Sequence, residues 1–320
     1  MICSEAALER LEYPHLRGLL AGQTQSEPGH LLAMQLHPLG DNSAVETALA
    51  EVDEAVRLLI DGQAPSLGGC FDVQPVVEQG QAEGSLVAAE ELLKIAQSLR
   101  VTEDCKRWAG HLDGRSLLAG LALQLSPLAE LKRRLVDSIG SRGELLDSAS
   151  FELGDLRYRV RQTRNRVKQQ LEQMLSSEQF ASCFQEKLVT VRNGRYVVPL
   201  KADHRGQLKG FVQDESASGQ TLYIEPTKVL EGNNNLQQLL SEEQREERRI
   251  LLPLADLVRR DSAELLKNQR LLARLDLRLA AARLSRQYQG NRPELVADSS
   301  IELKEARHPL LMEVDGRLER

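Results

Sequence analysis

Two spacings of apolar positions run through this chain, and the place where one gives way to the other organises everything else. Over most of its length Leu, Val and Ala recur at steps of three and four, which lines one face of an α-helix. From Ser43, with Glu46 three residues on as in a capping box, the series Val45, Leu49, Val52, Val56 and Leu59 predicts an amphipathic helix ending near "DGQ". The stretch "APSLGGCFDVQP" reads as Pro/Gly loop, and "SLVAAEELLKIAQSLR" predicts a second helix capped by Ser85. A long helix is then expected from about Phe151 to Leu175, with Leu153, Leu156, Val160, Val167, Leu171 and Met174 on its apolar side.

The helical spacing stops near residue 188. "LVTVR" is β-rich, Asn193-Gly194 is a strong hairpin signal, and "RYVVPL" follows as its partner. "GFVQDESA", a turn at Ser218-Gly219 and "TLYIEP" make a second pair, so four short strands form two hairpins, with Pro199 suited to an edge or a strand end. So small a sheet needs support from the helices around it.

After Pro226 the helical pattern returns as far as Gln289. Leu251, Val258, Leu265, Leu272 and Leu279 repeat every seven residues, with Leu254, Leu275 and Ala282 in the neighbouring seam. Asp261 and Asn268 interrupt that seam, and Leu257, Leu266 and Leu271 widen the stripe, so the pattern predicts a long lever packed on another helix rather than a pure two-stranded coiled coil. Pro253 predicts a kink or restart. The fold expected is mainly α, divided into a helical domain (1–150), an outgoing helix (151–187), a β-unit (188–227), a returning helix (228–290) and a closing segment (291–320).

Composition narrows the function classes. Among 320 residues, 41% are hydrophobic, 28% charged and only 3% aromatic, which fits helix packing and disfavours a stacking platform for single-stranded nucleic acid. The start, "MICSEAALERLEYPHLRGLL", lacks the basic-then-apolar order of a signal peptide, and no apolar run approaches membrane-spanning length. The four cysteines, Cys3, Cys70, Cys105 and Cys183, are far apart and form no Cys-x-x-Cys pair, as expected of small buried hydrophobes in a reducing cytosol. A formal net charge of −6 argues against binding polyanions over the whole surface but leaves room for a local basic patch.

Catalytic signatures are missing from the sequence. There is no Gly-x-x-x-x-Gly-Lys-Ser/Thr loop, no Gly-x-Gly-x-x-Gly and no His-Glu-x-x-His; His30 and His37 sit in a Pro/Gly setting that makes a poor metal site. Ser216 and Ser218 in "ESASG" read as turn residues, because no nucleophile elbow and no base accompany them. Basic residues do cluster. The β-unit carries Arg192, Arg195, Lys201, His204, Arg205 and Lys209 near the Ser216, Ser218 and Thr221 hydroxyls, the donor types that hydrogen-bond a phosphate backbone. Along the preceding helix run Arg157, Arg159, Arg161, Arg164, Arg166 and Lys168, against Asp155. The β-unit cluster can equally be a polar loop whose charges keep an edge strand from aggregating; the helix run can be a solvated face, but its nearly single sign favours a polyanion contact.

"RNGRYVVPLKADHRG" followed by "GFVQDESASGQTLYIEP" resembles the signature of the MutS-two family, the bacterial MutS paralogue without a mismatch-reading domain. "EAVRLLIDG", "LGGCFDVQP", "GELLDSAS", "NNNLQQLLSEEQREERRIL" and "IELKEARHPLL" fall in the family's order, so the resemblance covers nearly the whole chain. It implies core and lever helices, a β clamp over duplex DNA, and an ABC-type ATPase domain using ATP and Mg after "EARHPLL", often with an endonuclease domain beyond. On this view the chain stops before the ATPase, and neither ATP hydrolysis nor nuclease activity belongs to the residues present. The resemblance further implies a cytoplasmic homodimer joined through the ATPase domains, binding branched DNA without reading its sequence and restraining homologous recombination.

The resemblance places phosphate contacts at Arg192, Arg195, Lys201, His204, Arg205, Lys209, Ser216 and Ser218, and along Arg157, Arg161, Arg164 and Lys168. Two departures stand out: Glu215 replaces a neutral Gln in the signature, and Pro253 falls where the family continues as helix. Two alternatives share these residues. In one, ribosomal RNA is the polyanion and the chain serves rescue of collided ribosomes; in the other, the chain is a helical dimerisation scaffold with decorative charge.

Overall fold

A computed structural model describes residues 4–82, 84–180, 182–296 and 300–314. Cys3 and the end of the closing segment lie outside the described residues. Twelve α-helices appear among them: α1 (Glu5–Arg10), α2 (Tyr13–Ala21), α3 (Glu27–Met34), α4 (Asn42–Ile60), α5 (Gln74–Gln79), α6 (Ala89–Ala109), α7 (Leu117–Leu123), α8 (Ala129–Ser138), α9 (Phe151–Ser176), α10 (Thr227–Arg260), α11 (Ser262–Gln287) and α12 (Pro309–Val314). Between α9 and α10 stand four strands, β1 (Thr190–Arg192), β2 (Arg195–Lys201), β3 (Gly210–Glu215) and β4 (Thr221–Pro226). The fold is mainly α, with one small antiparallel sheet between two long helices. No helix among the described residues is long and apolar enough to cross a membrane.

The chain forms two compact units, Met1–Glu144 with Pro253–Arg320, and Leu145–Leu252. The boundary falls inside α10 at Pro253. The helix is not restarted there, contrary to one expectation from the sequence: it runs on to Arg260, and the break comes at Asp261, the N-cap position of α11.

In the first unit, α11 is packed against α2, α3, α4 and α7. Leu272, Leu275, Leu279 and Ala282 enter one core with Ala55, Leu58, Cys105 and Leu118, while Leu277 and Ala280 enter another with Leu20, Ala21 and Ala33. The seven-residue stripe is thus part of a helix buried on several sides. Asn268 interrupts the stripe for a reason: its amide accepts from the Ser126 N–H at 2.8 Å and donates to the Ser126 carbonyl at 2.7 Å. Buried Asp276 likewise accepts from the Ser26 N–H at 2.8 Å and the Ser26 hydroxyl at 2.6 Å. A Cβ on Gly29 would lie 2.3 Å from that carboxylate, so the close approach requires glycine. Burial pushes the Cys70 and Cys105 thiols up to about 12, which keeps them protonated and unreactive.

Two helix starts differ from expectation. The N-cap of α4 is Asp41 rather than Ser43, because the Asp41 carboxylate reaches the N–H groups of both Ser43 and Ala44. Ser85 caps nothing: fully buried Val87 keeps the entry extended, α6 starts only at Ala89, and the Ser85 hydroxyl has no hydrogen-bond partner among the described residues.

In the second unit α9 and α10 run antiparallel, with Leu156 and Val160 packed on Leu236 and Leu239. The sheet has the order β1-β2-β4-β3, so the two hairpins are joined by β2–β4 pairing into one layer. Arg192 pairs with Arg195 across Asn193 and Gly194, both at positive φ as a tight two-residue hairpin turn demands. Val198, Leu200 and Ile224 form the supported face, buried with Val167, Leu171 and Leu175 of α9 and Val229 of α10. Pro199 lies within an interior strand, yet beyond the end of β1. Its carbonyl accepts from the Gln185 N–H, so its missing N–H falls on that same side and the β2–β4 ladder keeps all its bonds.

Candidate nucleic-acid interface

The basic residues of the second unit fall into two groups by what their charges already touch. Arg157, reaching out of α9, hydrogen-bonds Asp147 at 2.8 Å, Glu243 at 3.0 Å, Glu247 at 2.9 Å and the Leu145 carbonyl at 2.7 Å. The first of these bonds holds the Asp147 carboxyl below the usual carboxylate range. Arg195 donates to Glu225 at 2.7 Å and to Asn234 at 2.8 Å. Glu225 is fully buried and also accepts from Asn233 at 2.9 Å and Gln213 at 2.7 Å. Arg192 pairs with Asp214 at 3.2 Å and lies over the Tyr223 ring, 4.2 Å from its centroid.

These cations hold elements together. Asn233 completes the second network by accepting from the Tyr196 N–H and donating to the Tyr196 carbonyl, which fastens β2 to α10; Gln237 adds a bond to the Gly194 carbonyl at 2.6 Å. The extra residue in β3, Gln213, sits at a register shift between Val212 and Asp214, and the bulge aims its amide at Glu225. The sequence reading assigned no role to Asn233, Asn234, Gln213 or Glu225. The signal it had was the polar run "NNNLQQ" opening a helix that otherwise packs leucines.

A second group is open. In the connection from β2 to β3, Arg205 and Lys209 are exposed and form no ion pair among the described residues, and neither does exposed Lys228, at the start of α10. Lys209 and Lys228 line one cavity of about 640 Å³ together with Gln207 and Thr227. Lys201 donates to the Ser182 carbonyl at 3.1 Å, and the His204 ring lies 2.8 Å from Asp203, whose carboxyl it holds below the usual range. On α9, Arg164 and Arg166 are exposed without an ion pair among the described residues, Arg161 meets Asp147 at 3.3 Å and Lys168 meets Glu172 at 3.8 Å.

The far turn of the sheet is different again. The Ser216 hydroxyl accepts from the Thr221 N–H at 3.0 Å and lies 3.4 Å from that of Ser218, so it closes the loop on itself. Exposed Glu215 stands beside it. Lys201 pairs with Thr221 and the Ala202 N–H donates to the Gln220 carbonyl, so the β2–β3 connection starts beside this turn and runs to the other end of the sheet, where the Lys209 carbonyl accepts from the Thr227 N–H.

No family model matches the chain. It is 34% identical over 96% of its length to endonuclease MutS2 of Bacillus cytotoxicus, covering 39% of that protein. To endonuclease MutS2 of Symbiobacterium thermophilum it is 34% identical over 96% of its length, covering 38%, and to that of Pelotomaculum thermopropionicum 34% over 95%, covering 39%. The chain spans about 39% of the length of the relatives it matches. The likeness runs through both compact units and includes the sheet with its two hairpins, and on that evidence the chain belongs to the MutS-two family.

Proposed function

We propose that the second unit is a DNA clamp, which grips duplex or branched DNA by its phosphate backbone without reading sequence. The observation that carries this reading is the pair Arg205 and Lys209, exposed on one short connection and unneutralised, in a unit whose other arginines mostly bond to its own carboxylates. Guanidinium and ammonium groups displayed in this way neutralise phosphates and release counterions, and they position a helix regardless of its bases. Lys228, which lines the same cavity as Lys209, extends this positive surface, while Arg157, Arg192 and Arg195 keep the unit rigid. A rigid presentation lowers the cost of ordering side chains on binding. In the whole protein such a grip on branched intermediates would restrain recombination. The ATP and magnesium implied for the family find no phosphate-cradling glycine loop in this sequence, and no step here runs through them.

The test is fluorescence anisotropy of a labelled four-way junction at two salt concentrations, with Arg205→Glu/Lys209→Glu alongside. Expected is binding whose logarithm falls with log salt by about 0.9 per phosphate contacted, weakened in the double variant and displaced by unlabelled junction in preference to structured RNA. Equal binding by both proteins, or displacement by RNA first, would overturn the reading.

A further inference from the structure

Strand β3 lies at the free end of the sheet, and two consecutive large apolar side chains stand out from it: Phe211 is 55% exposed and Val212 is 42% exposed. Sheet edges are ordinarily blunted with charge, and an exposed aromatic there is costly unless something covers it. The phenylalanine is also firmly placed. A Cβ on Gly210 would lie 2.4 Å from the Glu225 carbonyl oxygen, so β3 begins in tight contact with β4 and Phe211 is fixed opposite Glu225. Two residues before it in the chain comes Lys209, exposed and without an ion pair among the described residues.

An added strand from a second copy suits this edge poorly, because the bulge between Val212 and Asp214 breaks the even ladder that such pairing needs. The chemistry that matches an exposed aromatic with a free cation two residues before it is a nucleotide with its base out of the stack: the phosphate takes the cation and the base takes the ring. The carboxylates at the other end of β3 do not oppose this, since Asp214 is paired with Arg192 and Glu215 sits at the far turn.

We propose that Phe211 is an apolar contact for one unstacked base, held beside the phosphate site of Lys209, so that the unit prefers DNA with an unpaired nucleotide at the duplex over fully paired DNA. This rests on the clamp reading above. With 3% aromatic residues the chain offers a single such contact at this edge, which suits a bulge or junction rather than a long single strand.

The experiment compares a duplex carrying one unpaired 2-aminopurine with the same duplex fully paired, using the whole chain, Phe211→Ala and Phe211→Trp. Binding is read by anisotropy and stacking by 2-aminopurine emission. Expected is about fivefold or greater preference for the unpaired probe with quenched emission, loss of both in Phe211→Ala with paired-duplex binding unchanged, and their return in Phe211→Trp. Salt-steep binding without preference or quenching overturns the base contact and leaves the clamp standing. Absence of binding to either DNA overturns both. A preference that survives in Phe211→Ala, or a concentration-dependent dimer that Phe211→Ala abolishes while base preference is lacking, assigns the edge to another role and overturns the proposal.

Discussion

The junction between the sheet and α10 and the connection from β2 to β3 are built from the same kinds of residue and put them to opposite uses. At the junction, Arg195 meets a fully buried Glu225 and is surrounded by amides that satisfy what remains. In the connection, Arg205 and Lys209 are exposed and form no ion pair among the described residues. A charge is committed to structure when a carboxylate from another element is brought to it out of water, and it is open to a partner when no such element arrives. The comparison teaches that in this family member basic character by itself identifies neither group.

The sharpest way to break the comparison is Arg195→Ala. It would leave Glu225 buried without its cation, and a destabilisation of about 3–5 kcal/mol is expected in urea unfolding, with part of it recovered by adding Glu225→Gln. A parent-like midpoint would mean that Arg195 belongs with the open group. Next in size is Gly210→Ala, where the two regions meet. The new methyl would press on the Glu225 carbonyl, and a cost of about 1–3 kcal/mol should appear in the same measurement.

Arg205→Glu/Lys209→Glu sharpens the other side. Its unfolding midpoint should match the parent to within about 0.5 kcal/mol for each site, while the salt slope of junction binding drops by about 0.9 for each phosphate that is no longer neutralised. A change in stability without a change in slope would reverse the assignment. The smallest effect expected is in acid. Since Arg157 depresses the Asp147 carboxyl, that group contributes stability fully above the ordinary range near pH 4 and loses it as pH falls through the depressed value. Arg157→Met should flatten this acid limb in a pH series of thermal melts, and an unchanged limb would show that the pair contributes nothing in solution.

Much of this molecule was legible in its residues. Asn193-Gly194 marked the first hairpin, the change from helical to alternate spacing marked the β-unit, and the leucine stripe marked a helix that had to be covered. Helix starts were less legible, because a cap depends on which oxygen reaches the free N–H groups, and Asp41 reaches them where Ser43 does not. Pro253 was misleading for a related reason: a proline removes one bond, but surrounding helix continues on both sides and the break waits for Asp261.

What the sequence determined by itself was therefore local and periodic: mainly helical structure, two hairpins at one place, apolar faces, and an excess of cations near that place. Which cations are free was decided only by the tertiary structure. Arg157 finds Glu243 and Glu247, and Arg195 finds Glu225 and Asn234, from the neighbouring strand or from the returning helix. The periodicity of a helix or strand says which way a side chain points and is silent about what comes to meet it. Ion pairing falls off steeply with distance and strengthens as water is excluded, so it is set by where remote segments of the chain come to rest.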